Sequence, residues 1–258
     1  MDCNLKGFHA IITGGSSGMG FEMAKTLLSH GATVAIAARG GTKLENACLT
    51  LKNGGFDVHA LEMDVRSEES VATAASWIAK NWERLDMLVN NAGIGMRSIN
   101  KEHPKPLPFY EIQPEDFNNL VQTNFTGYFL VMRAFVPLML PHKSGRIVNV
   151  STSIPTMTLS GQLPYGPARA AAEAMSVIVS KELEDLGITV NVLLPGGATL
   201  TGFMPEEMHG KADNSKFLPA SIMNEAILFL ASDKAVGMTG ERIIAKEFHQ
   251  WLKEKGLE

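Results

Sequence analysis

Short runs of β-branched and apolar residues alternate with longer helical periods along nearly the whole chain. Residues 8–13, 32–38, 58–65, 85–93, 146–152, 188–197 and 241–245 have the length and composition of buried strands. Between them, helical spacing runs over 19–29, 42–52, 67–82 and 114–140, onward from Tyr165, and over 219–231. Ser67 is placed to start the third helix and Pro114 the fourth. This alternation predicts an α/β fold, a parallel sheet with helices on both faces. With no linker, repeat or low-complexity segment, residues 1–258 read as one domain. The longest irregular stretches, about 94–113 and 196–218, each follow a strand end, where such sheets bind ligands.

Composition narrows the partners. The formal net charge is -4 and no long basic run occurs, which argues against nucleic acid. Cys3 and Cys48, the two cysteines, form no metal or disulfide framework, so a reducing compartment is expected. No leader-like start and no apolar run of roughly 18–20 residues is present, so a soluble cytoplasmic protein is expected. No metal-ligand spacing occurs; His103 and His209 read as loop histidines.

The stretch "TGGSSGMG", residues 13–20, joins the first strand to the first helix. Glycines there let the backbone turn tightly and approach a ligand. The free N–H groups of the helix start then offer a site for a pyrophosphate. Its spacing is Gly14-x-x-x-Gly18-x-Gly20. Together with "NNAG" after the fourth strand and Tyr165 ahead of an alanine-rich helix, it resembles the short-chain dehydrogenase/reductase family over nearly the whole chain.

That resemblance implies a Rossmann-like, doubly wound parallel sheet of seven strands in the order 3-2-1-4-5-6-7, binding a nicotinamide dinucleotide. Gly14, Ser16 and Met19, with the neighbouring Ser17 and Gly20, would hold the pyrophosphate and adenine ribose. Asp64 and Val65 would contact adenine, and Asn91, Ala92 and Gly93 would lie along the adenosine side. Pro195, Gly196, Thr199 and Thr201 would close over the nicotinamide carboxamide. It also implies a homotetramer or dimer, with the face "MSVIVS" packed across a two-fold axis. An acidic residue ending the second strand would favour NAD(H). This chain has Ala38 and then Arg39, whose guanidinium matches phosphate oxygens, so NADP(H) is preferred over NAD(H).

The family's reacting set is Asn, Ser, Tyr and Lys. Asn124 and Tyr165 match the first and third. The serine position falls on Thr152, with Ser151 or Ser153 as substitutes if the loop shifts by one residue. Arg169, one helical turn after Tyr165, occupies the lysine position. A cation within about 4–6 Å of a phenol favours the phenolate, and arginine supplies that charge. Unlike lysine it does not release a proton, so it cannot serve in a relay. Glu173, a further turn along, is placed to draw the guanidinium away.

On the substrate side Ile94, Met96, Ile154, Met157, Leu159, Leu163, Phe203 and Met204 are expected above the nicotinamide, favouring an apolar carbonyl or alcohol. Trp251 and Phe248 are placed to dock a C-terminal helix on the body or on a neighbouring subunit. The expected activity is hydride transfer between NADP(H) and a carbonyl or secondary alcohol. The alternative is a non-catalytic NADP(H)-binding sensor or scaffold of the same fold.

Overall fold

The computed structural model describes residues 3–199 and 217–257. In chain order its main elements are β1 (His9–Thr13), α1 (Gly18–Ser29), β2 (Thr33–Ala38), α2 (Thr42–Asn53), β3 (Val58–Glu62), α3 (Glu68–Asn81) and β4 (Met87–Asn90). They continue with α4 (Pro114–Val121), α5 (Gly127–Met139), β5 (Gly145–Val150), α6 (Ile154–Met157), α7 (Tyr165–Leu183) and β6 (Ile188–Leu194). The last are α8 (Asn224–Ala231), β7 (Arg242–Ile244) and α9 (Phe248–Lys255).

All seven strands join one parallel sheet in the order β3-β2-β1-β4-β5-β6-β7. Alternation along each strand divides the core. Ala10 and Ile12 of β1 face Met23, Ala24 and Leu27 of α1, Leu44 and Leu51 of α2, and the apolar α8. Ile11, between them, faces Val71 and Ile78 of α3 and Val131 and Phe135 of α5. Both faces are covered, which is why β1, β2 and β4 read as near-continuous apolar runs. Each fully buried large side chain contributes roughly 1.5–3 kcal/mol. The crossover from β1 through α1 to β2 places the glycine turn at the sheet's carboxyl edge. Sheet order reverses between β1 and β4, and the cleft opens there.

Local signals explain most boundaries. The Ser67 hydroxyl accepts a hydrogen bond from Ser70 N–H at 3.2 Å and caps α3. The expected helix over 114–140 is instead two α-helices joined by a π-helical turn, Gln122–Thr126. The widened turn carries Asn124, whose amide is bonded to the backbone of Ile94 on both sides. The segment after Pro219 begins as a 3-10 turn, Ala220–Met223, before α8. The expected docking of the C-terminus is seen on the body itself. Phe248 is buried against Phe229, with ring centres 5.6 Å apart, and Trp251 stacks on Phe248 and meets Phe229 edge-on. Phe248→Ala should therefore cost about 3–5 kcal/mol of unfolding free energy. Urea unfolding followed by circular dichroism would measure it, and a loss under about 1 kcal/mol would mean that α9 is only loosely attached.

Candidate active site

Thr13 ends β1 with its side chain fully buried. Its Oγ1 accepts the N–H groups of Asn91 and Ala92, both at 2.9 Å, and so ties the β1 and β4 ends together. The Asn91 amide donates to the carbonyls of Thr13 and Gly14 at 2.9 and 3.3 Å. This side chain therefore holds the glycine turn. Gly14 has φ +66°, and a Cβ there would lie 2.9 Å from Ala92 Cα. The turn delivers the chain to α1, whose first turn has no acidic residue and no side-chain cap. Its N–H groups are available to an anion.

Beside this turn lies an open groove of about 540 Å³, lined by Ser16, Ser17, Thr42, Lys43 and Asn46. Arg39 is exposed at the end of β2. Lys43 is a cation on the groove that sequence reasoning missed. It also missed an anion near the end of β2: the Glu62 carboxylate crowds Gly40, and Glu62 is paired in register with Ala38. Asp64 accepts from Arg66 Nε and Nη2, at 3.0 and 2.6 Å. Chiefly that contact, with the Arg39 charge adding to it, holds its carboxyl below the usual range. Val65 is buried and packs against Gly127.

At the other end of the cleft, Tyr165 opens α7 and is half-buried. Arg169, one turn on, is only 2 % exposed. Its Nη1 donates to Tyr128 Oη at 2.7 Å and to the Val150 carbonyl at 2.9 Å. The guanidinium carbon lies 5.5 Å from the ring centres of both Tyr128 and Tyr165. Its Nη2 lies so close to Gly93 that a Cβ there would collide with it. Nε is buried without a protein partner. Burial works against this charge, but the phenols of Tyr128 and Tyr165 outweigh it and hold the pKa above the ordinary arginine value. The charge is permanent. Glu173 does not compete for it, contrary to expectation: its Oε2 accepts Arg242 Nε at 2.9 Å.

Three hydroxyls cluster where β5 ends. Ser153 is bonded to Thr156 at 2.8 Å, and the Ser151 Oγ is buried without a partner. Thr152 is half-exposed, and its carbonyl accepts Arg242 Nη2 at 2.9 Å. Asn124 is fully buried, with its amide held by Ile94 N–H at 2.9 Å and Ile94 C=O at 2.8 Å. After β6, the Pro195 carbonyl accepts Lys246 N–H, and Thr199 bonds the Gly197 carbonyl and bridges to Leu218. Gly196 adopts φ +88°. Thr201, Phe203, Met204 and His209 lie outside the described residues.

The apolar set divides. Met96 is buried with Leu120 and Ala168, and Ile94 and Tyr165 pack against this cluster. Ile154 and Leu159 are exposed, and Met157 and Leu163 half-buried. His103 is half-buried; burial first, then the Arg97 charge, pushes its pKa down. The uncapped helix start and the glycine cradle fit the phosphates of a dinucleotide. Gly93→Ala should drive a methyl into the Arg169 head and cost about 1–3 kcal/mol. Urea midpoints would check it; an unchanged midpoint would mean the guanidinium moves aside freely.

Known proteins share this arrangement. The family model described as short chain dehydrogenase matches residues 8–211. A 3-oxoacyl-[acyl-carrier-protein] reductase, FabG, of Aquifex aeolicus is 30% identical over 251 residues, covering 94% of this chain and 97% of the relative. An uncharacterized oxidoreductase, YxjF, of Bacillus subtilis is 28% identical over 253 residues, covering 91% and 95%. Among solved structures, an actinorhodin polyketide ketoreductase variant with NADPH superposes with a TM-score of 0.80 at 25% identity, covering 92% of this chain and 95% of that one. The family model covers most of the chain, the overall fold agrees with these matches, and the chain belongs to the short-chain dehydrogenase family.

Proposed function

We propose that this protein is an NADP(H)-dependent oxidoreductase that interconverts an apolar carbonyl compound and its secondary alcohol. The observation that carries this reading is the pinned Arg169 cation, 5.5 Å from the Tyr165 ring centre at the mouth of the cleft. Bound cofactor supplies or accepts the hydride at C4 of its nicotinamide. In the reducing direction Tyr165 gives its phenolic proton to the carbonyl oxygen as the carbon gains hydride. The adjacent positive charge stabilises the phenolate left behind. Thr152 is the favoured hydroxyl partner of the same oxygen, since Ser153 is occupied by Thr156 and Ser151 is buried while Thr152 is half-exposed. Arg169 holds its protons, so Tyr165 regains one from water at the half-exposed mouth. Asn124 keeps the α4–α5 bend and the Ile94 loop in place.

Gly14, Ser16, Ser17, Met19 and Gly20 would take the pyrophosphate end. Asp64, Val65 and Asn91–Gly93 would flank the adenosine. Pro195, Gly196 and Thr199 would meet the carboxamide. Arg39 and Lys43 would meet a 2′-phosphate, and the NADPH in the ketoreductase structure supports that preference. The names of two relatives, a 3-oxoacyl reductase and a polyketide ketoreductase, support a ketone substrate. Exposed Val177 and Ile178 on α7 and Phe129 on α5 support a homo-oligomer, dimer or tetramer.

NADPH oxidation against a panel of apolar ketones tests the reading. Native turnover is expected, and Tyr165→Phe should lower it by about 10²–10⁴-fold. NADPH binding without turnover on any ketone would favour a sensor or scaffold instead. Arg39→Ala should weaken NADPH binding about tenfold while changing NADH binding little. Equal losses for both cofactors, by titration calorimetry, would overturn the phosphate assignment.

A further inference from the structure

Tyr128 is 1 % exposed, so its hydroxyl has no water to turn to. It donates to the Val150 carbonyl at 3.0 Å and accepts from Arg169 Nη1 at 2.7 Å. The same Nη1 also donates to Val150, which closes a three-membered node of phenol, guanidinium and strand carbonyl. The other amino group, Nη2, points to Gly93. A guanidinium is broad enough to be tied at one end and to present charge at the other; a point-like ammonium is not. The burial of each partner is satisfied by the other.

We propose that Tyr128 is a positioning residue for Arg169, so that the pair, and not the arginine alone, supplies the cation that serves Tyr165. This rests on the oxidoreductase reading above. Tyr128 does not compete with Tyr165 for the proton-transfer role. Its proton is committed to Val150, and burial pushes its own ionisation above the ordinary phenol value, so it stays neutral and leaves the charge uncancelled. It holds the guanidinium at one place between the two rings, at equal distances of 5.5 Å. Without the phenol oxygen, Nη1 keeps only Val150, and Nε already has no partner. The head would then be held less firmly at its station beside Tyr165 and Gly93. Val150 also ends the strand that leads to Thr152, so one node sets both the cation and the start of the hydroxyl segment.

A double-mutant cycle with Tyr128→Phe and Arg169→Lys tests this. With arginine at 169, Tyr128→Phe is expected to lower kcat about tenfold with the ketone KM little changed. With lysine at 169 the phenol has no guanidinium to hold, so the double variant should turn over no worse than Arg169→Lys alone. Equal losses in both backgrounds, or an unchanged kcat with only a lower unfolding midpoint, would overturn the proposal and leave Tyr128 a packing residue. If the native chain turns over no ketone, the same cycle is read on the NADPH dissociation constant, with the same non-additivity expected. If NADPH does not bind, the oxidoreductase reading falls. The cycle is then read on urea midpoints, where additive shifts overturn the coupling of Tyr128 to Arg169 and non-additive shifts sustain it.

Discussion

A full positive charge buried in a protein interior demands compensation, and at Arg169 the demand organises the reacting end of this molecule. An unpaired guanidinium at 2 % exposure would be prohibitively costly to desolvate. Here the compensation is neutral: a phenol, a backbone carbonyl and the faces of two aromatic rings. Among the described residues no carboxylate is paired with it, and the nearby Glu173 is paired with Arg242. The field of the cation therefore acts on the half-buried Tyr165 beside it, and burial strengthens such fields.

The rest of the fold brings backbone to that cation from several directions. α7 carries Tyr165 and Arg169 on one face, and buries small residues, Ala168, Ala172 and Ser176, so that it can sit close to the sheet. The buried amide of Asn149 reaches Ser176 at 2.8 Å, which fixes the helix against β5. Arg242 joins Glu173 of α7 to the Thr152 carbonyl and so links the last strand to the hydroxyl segment. At the opposite end, Thr13 draws the β1 and β4 edges together and the glycine turn inherits its shape. Both ends lie at the sheet's carboxyl edge because every crossover is parallel.

Periodicity reports what repeats, and the parts of this molecule that repeat were readable from it. The seven strands, the capped start of α3 at Ser67 and the shared face of Tyr165 and Arg169 all follow from local spacing. The sheet order came from the family resemblance and is the order observed. What escaped depends on side chains that meet across the fold. The π-helical turn is made by Asn124 reaching for Ile94, thirty residues away in sequence. Glu173 sits one turn from Arg169, yet it bonds a strand that local spacing cannot bring near. Met96 lies in a loop that reads as substrate-facing, and its burial with Leu120 and Ala168 in a small cluster that Tyr165 packs against could not be read from spacing. Tyr128 left a trace: it lies one turn beyond Asn124, so its inward direction could have been read. That it meets Arg169 could not, since the two lie 41 residues apart in sequence on different helices.

An arginine in this role changes how protons travel, not only how charge is placed. A lysine ammonium can pass a proton along and recover it from water; a guanidinium held above its ordinary pKa keeps every proton it has. Tyr128 is no conduit, as its single proton points to Val150. The amide of Asn124 is held on both sides by Ile94. The interior behind Tyr165 therefore offers charge without a path for protons. Any proton that leaves this phenol must return from the open side, past exposed Ile154 and Leu159. In the proposed mechanism a bulky apolar molecule bound there would hinder the return of water and so couple proton recovery to product release. Electrostatic support and proton supply, which one lysine can combine, would then fall on opposite sides of Tyr165.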